Sequence, residues 1–156
     1  MPIKILFIII FLFIVAFGCQ SQDELVDSSN VDKELREVIK KIWVDAVAGD
    51  LDALRSTHFD SPKFSKFGPR IAERQDVKST NESETEHVLS MSDASFNLED
   101  IKIDLFGDIA ITTFYNNYSF IKNNMRIQGK GRVTLVFLNT EDGWKIVHEH
   151  SSPFNP

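Results

Sequence analysis

From about Leu98 to Ser151 the apolar residues recur at every second position in four runs parted by short polar turns, and this pattern restricts the fold more than any other feature of the chain. Such alternation predicts strands, because a half-buried strand turns successive side chains to opposite faces. The runs are Leu98 to Leu105, Ile109 to Ile121, Met125 to Leu138 and Trp144 to Ser151. They are joined at Phe106-Gly107-Asp108, Lys122-Asn123-Asn124 and Asn139 to Gly143. Connections this short join antiparallel neighbours, since a parallel pair needs a crossover of a dozen or more residues. An antiparallel meander is therefore expected to make up the C-terminal part.

Ahead of Phe96 the period is helical. Val31, Leu35, Val38, Ile39, Ile42, Trp43, Ala46 and Val47 fall at steps of three and four and form one apolar stripe. Ser29 or Asn30 can cap this helix and Gly49 ends it. Asp50 then caps a short helix through Leu51 and Leu54. Thr57 to Arg70 is broken by Pro62, Gly68 and Pro69 but carries Phe59, Phe64 and Phe67, which predicts a loop or short strand anchored by aromatics. A third helix is expected from about Ser79 to Met91, with Ser79 and Glu82 at capping-box spacing and Val88 and Leu89 as a weak apolar face. Helices followed by a meander describe an α+β domain in which a curved sheet wraps the helices to bury one face.

The N-terminus reads as a targeting segment. Lys4 precedes an uninterrupted apolar run from Ile5 to Phe17. As a helix that run is about 20 Å long, short against a hydrocarbon core of roughly 30 Å. Ala16-Phe17-Gly18-Cys19 resembles the bacterial lipobox, which implies cleavage before Cys19 and lipidation of that residue. The expected organisation is a signal peptide over 1–18, a lipidated Cys19 with a polar, acidic tether over 19–30, and a domain over 31–153. Cys19 is the only cysteine, so its acylation leaves no thiol for a disulfide, a metal or a nucleophile. The implied location is a bacterial cell envelope with a membrane contact made by the lipid. The outer membrane is favoured in a two-membrane host, because Gln20 stands where an inner-membrane retention signal would place Asp.

If the loop Asn139 to Gly143 closes a regular hairpin, Leu138 faces Trp144, Val136 faces Ile146, Thr134 faces His148 and Arg132 faces His150. One face then runs from apolar near the turn to cationic further away. A one-residue slip would invert this arrangement. Read as a pocket lining, Arg132 would fix an anionic or carbonyl group while His148 or His150 hydrogen-bonds or moves a proton, with Thr134 beside them. Read structurally, the same groups satisfy backbone or help at a subunit contact. The opposite face, with Val133, Leu135, Phe137 and Val147, is also largely apolar, so a homodimer through the sheet is expected. Trp43, Phe64, Phe67 and Tyr115, with Phe114 and Tyr118, are candidates to line an apolar cavity.

The order of elements, Arg132-Val133-Thr134 on one strand and the ending Gly143-Trp144 to His148-Glu149-His150-Ser151 together resemble the SnoaL-like branch of the nuclear transport factor 2-like superfamily. The resemblance spans about Val31 to Pro153. It implies a cone-shaped fold with a cavity between sheet and helices, often dimeric through the outer face of the sheet. It does not imply one function, since the fold hosts isomerases, cyclases, dehydratases, hydrolases and non-catalytic binders.

Several chemistries find no support in the residues. The net charge of -6 and the lack of a basic run argue against nucleic acid. No G-x-S-x-G elbow and no phosphate-binding glycine loop occur. The tyrosine that ketosteroid isomerases place on the first helix is missing between Val31 and Gly49, so the resemblance does not carry that catalytic set. His58 and Asp60 could join His148 and His150 around zinc or iron, but no compact ligand spacing supports it, and neither metal nor cofactor is expected. His87 is read as solvated. The leading expectation is a non-catalytic envelope lipoprotein that binds a small apolar or amphiphilic molecule or a protein partner. The alternative is a lyase, isomerase or hydrolase of a small organic substrate.

Overall fold

The structure is a computed structural model that describes residues 28–154. The signal segment, Cys19 and the tether up to residue 27 lie outside the described residues. Three helices precede and flank one sheet: α1 (Ser28–Ala48), α2 (Leu51–Ser56), β1 (Ser65–Phe67), α3 (Val77–Leu89), β2 (Ser92–Phe106), β3 (Ile109–Lys122), β4 (Met125–Thr140) and β5 (Gly143–Pro153). The five strands lie in the order β1-β5-β4-β3-β2. Four form the expected meander, and β1 pairs in parallel with β5 at its edge, so the sheet is mixed.

The helical stripe reads as expected from Val31 to Ala46, but Val47, expected in it, is exposed at the last turn. Leu35, Ile39 and Ile42 are buried against Leu135, Phe137, Trp144 and Ile146 of the sheet, while Trp43 packs alongside. Gly49 ends α1 at φ +74°, a left-handed turn that a Cβ would strain. The Asp50 side chain accepts from Ala53 N at 3.0 Å and caps α2 as predicted. Two helix starts differ. α1 begins at Ser28, so Ser28 to Asn30 belong to the helix and not to the tether. The cap of α3 is Asp76, which accepts from Ser79 N at 2.8 Å, while the Ser79 hydroxyl in turn accepts from Asp76 N at 3.0 Å. Ser79 thus closes the box from within the first turn, because the Asp76 carboxylate reaches the free N–H groups first.

The register of the last hairpin is corrected. Thr140 pairs with Gly143, so only Glu141 and Asp142 lie between the strands, and Gly143 at φ +86° turns the chain. Asn139 therefore lies opposite Trp144, and Phe137 opposite Ile146. An irregularity at Val147 then adds a second offset, placing Val136 opposite His148, Thr134 opposite His150 and Arg132 opposite Ser152. The two offsets cancel in face: Arg132, Thr134, His148 and His150 still share one side, but Trp144 and Ile146 go to the other with Val133, Leu135 and Phe137. Since Val133, Leu135 and Phe137 are buried under the helices, the Arg132 face is the outer one.

Candidate functional site

The concave side of the sheet and the helices enclose a cavity of about 470 Å³. Its apolar wall comes from Ile42, Trp43 and Ala46 of α1, Val88 of α3, Phe96 of β2, Phe120 of β3 and Val133 of β4. Trp43 stands edge-on to Phe96 and Phe114, with ring centroids 6.5 and 5.3 Å away. Tyr118 reaches the wall because its strand partner is Gly129, where a Cβ would come within 2.4 Å of the Tyr118 hydroxyl oxygen.

The polar end is made where α3, β1 and β5 meet. β1 and β5 pair so that Lys66 lies opposite Glu149, and both turn inward. The Lys66 ammonium sits between two carboxylates, 2.5 Å from Glu84 Oε1 and 2.9 Å from Glu149 Oε1. Burial opposes the ammonium charge, but the Glu149 and Glu84 carboxylates outweigh it and hold the Lys66 pKa above its ordinary value. His58 is buried behind this group, with Nδ1 3.0 Å from Asn81 Oδ1 and Nε2 3.7 Å from Glu84 Oε1. Ligand atoms of His58, Glu84 and Glu149 lie within 4.8 Å of one another, a set able to hold a cation. The Lys66 ammonium fills that place as a fixed positive charge.

Further along α3, His87 Nε2 lies 3.1 Å from Arg70 Nη1, and the ring stands edge-on to Phe120 at 5.4 Å. Burial, then the charges of Arg70, Lys122 and Lys66, pull the His87 pKa from 6.5 down to about 4. A guanidinium only donates, so Nε2 accepts and the neutral ring carries its proton on Nδ1. Asn116 of β3, 8% exposed, completes the polar wall.

Of the residues singled out from the sequence, Trp43 lines this cavity and Phe64 lies in the core with its ring 5.1 Å from that of His58. Phe67 is 42% exposed on the outer side, 6.2 and 6.4 Å from the rings of His148 and His150. His148 Nδ1 meets Ser65 Oγ at 2.9 Å. Arg132 donates to the Pro153 carbonyl at 3.3 Å and lies over the Phe154 ring, while Tyr115 carries the Lys130 ammonium 4.6 Å above its own ring. The structure thus gathers Arg132, Thr134, His148, His150, Phe67 and Tyr115 on the outer side of the sheet. His58 approaches Glu84 and not His148 or His150.

Sequence reasoning missed Lys66, Glu84, Glu149 and Asn116, and read His87 as solvated. A signal was present in α3. Thr80, Ser83, Glu84 and His87 follow helical spacing, and Thr80 is fully buried, so this helix turns a polar stripe inward. Leu89, assigned to the weak apolar face, is 71% exposed.

Comparison with known proteins gives a consistent picture. A family model described as "SnoaL-like domain" matches residues 35–156. A nuclear transport factor 2-like superfamily protein from Salmonella enterica serovar Typhimurium superposes with a TM-score of 0.75 at 21% identity, over 83% of this chain and 94% of its own. A candidate dehydratase of the NTF2-like family from Streptomyces avermitilis gives 0.72 at 20% identity, over 82% of this chain and 99% of its own. An NTF2-like protein of unknown function from Pseudomonas putida gives 0.70 at 18% identity, over 81% and 89%. At these identities the likeness shows the fold. No curated protein matches the sequence.

Proposed function

Since this chain belongs to the SnoaL-like domain family, we propose that its cone takes up a small amphiphilic molecule in the cavity beneath α1 and α3, as a binder and without turning it over. The observation that carries this reading is the pairing inside the cavity. Its apolar wall suits a ligand body, while its most buried charge, Lys66, is held between Glu84 and Glu149 and stays protonated. An ammonium so held is neither a base nor a nucleophile. The second reading, an enzyme of the lyase or isomerase kind, draws on Glu84, whose Oε2 has no hydrogen-bond partner and belongs to a residue of the cavity wall.

The setting belongs to the same proposal. A lipid on Cys19 would hold the domain at an envelope membrane, and two copies would meet through the outer sheet face. There Ile109 lies opposite Leu138 and Ile111 opposite Val136, with Ile111 37% and Phe106 62% exposed. Ala46→Phe tests the cavity by filling it. Calorimetric titration with adamantyl methyl ether should show binding to the wild type and none to the variant. Equal binding by both would overturn the assignment of the cavity.

A further inference from the structure

Four buried side-chain polar atoms among the described residues have no hydrogen-bond partner: Thr80 Oγ1, Glu84 Oε2, His87 Nδ1 and Asn116 Oδ1. Buried polar groups are nearly always paired, so each orphan asks for a partner. Three of the four belong to residues of the cavity wall, from two different elements, α3 and β3. Asn116 is more than nine-tenths buried.

The orphans differ in what they need. Glu84 Oε2 is a carboxylate oxygen and only accepts. His87 Nδ1 carries the ring proton, because Nε2 is taken by Arg70, so it donates. Asn116 Oδ1 is an amide oxygen and also accepts. Glu84 and His87 are three residues apart on α3 and so share one side of the helix. A carboxylate ligand would satisfy His87 but meet Glu84 with like charge. An ammonium ligand would satisfy Glu84, leave the His87 proton unpaired, and enter a wall that already holds Lys66, Arg70 and Lys122. A hydroxyl group donates and accepts at once.

We propose that the ligand of this cavity is an uncharged, largely apolar molecule carrying a hydroxyl group, which donates to Glu84 Oε2 and accepts from His87 Nδ1, with the Asn116 amide opposite. The proposal rests on the cavity being the ligand site, and it adds the chemical class that the site selects.

The test compares four probes on one carbon skeleton: adamantanol, adamantyl methyl ether, adamantane carboxylate and adamantylammonium. They are titrated calorimetrically into the full chain held in phospholipid nanodiscs, with empty discs as the blank. Adamantanol is expected to bind about tenfold or more tighter than each of the other three. His87→Leu leaves the Lys66 ion group untouched and removes a donor that the alcohol and ether oxygens both accept from, so it should weaken both probes by a similar factor of about fivefold or more. Glu84→Gln puts an amide N–H where an ether oxygen can accept, so it should reduce the preference for alcohol over ether to less than about twofold and restore binding of the carboxylate relative to the alcohol, with a melting curve recorded beside it to confirm folding. Ether bound as well as alcohol by the wild type, an alcohol preference that survives Glu84→Gln, or affinities for both probes left unchanged by His87→Leu would overturn the hydroxyl assignment while leaving the cavity as a binding site. Failure of all four probes to bind would overturn the cavity reading and this one with it.

Discussion

His148 and His150 turn to the outer side of β5, whereas Glu149 between them reaches inward to the Lys66 ammonium at 2.9 Å. The same contrast runs along the whole sheet. The outer side carries rings and cations that pair with each other at the surface, such as Lys130 over Tyr115 and Arg132 over Phe154. The inner side sets Lys66, Glu84 and Glu149 into an apolar wall, where the ammonium pairs with both carboxylates. Energetically the two sides are unequal, since an exposed ion pair contributes little and a broken buried one costs several kcal/mol. Residue type alone therefore does not mark the site. Burial and the partner decide it.

Removing one group from each side of the sheet should give the largest difference in stability. Lys66→Met strands two neighbouring, largely buried carboxylates and should lower the free energy of unfolding by about 2–4 kcal/mol. His150→Ala, on the exposed side, should change it by less than ~0.5 kcal/mol. Denaturant titration reads both, and equal effects would erase the distinction. Gly129→Ala comes next. Its Cβ would meet Tyr118 Oη at 2.4 Å and Cζ at 2.6 Å, so the ring must move into the cavity, at a cost of about 1–3 kcal/mol. Gly131→Ala, whose nearest contact is 3.5 Å, should be milder.

A smaller effect is expected from acid. The His87 pKa lies at about 4 in the folded chain against an ordinary 6.5. As pH falls through that window the unfolded chain binds the proton first, so this contribution to stability is complete above about 6.5 and is lost towards 4. His87→Leu should flatten the stability profile across that window, and an unchanged slope would remove His87 from the buried polar wall. The least effect on the fold is expected from Ile111→Lys on the outer face. It should leave the melting temperature nearly unchanged while sedimentation shows a dimer giving way to monomers. A wild-type chain that sediments as a monomer at high concentration would remove the subunit contact from the outer face.

Much of the fold was legible where contacts are local. β3 and β4 end within two residues of their expected bounds, because their apolar positions alternate cleanly between turns. The first part of β2, Ser92 to Asn97, was not, since Ser, Asp and Asn hide the alternation there. β1 depends on parallel pairing with a strand about eighty residues later, which no local pattern signals. The hairpin register failed in two steps: the strands pair past the expected loop ends to Thr140 and Gly143, and the irregularity at Val147 leaves no mark in the sequence, although its offset returned the two histidines to the face of Arg132. The site was the least legible part. Lys66, Glu84 and Glu149 come from three elements, and the charge of each looks like an ordinary surface residue until the other two are beside it.

The most direct measurement is the position of a heavy atom in a crystal. Bromoadamantanol soaked into crystals of the protein carries a bromine that anomalous scattering can locate. The account predicts the bromine among Trp43, Val88 and Val133, with the hydroxyl towards Glu84 and His87. Bromine on the outer face beside Arg132, His148 and His150, with the cavity unfilled, would contradict it.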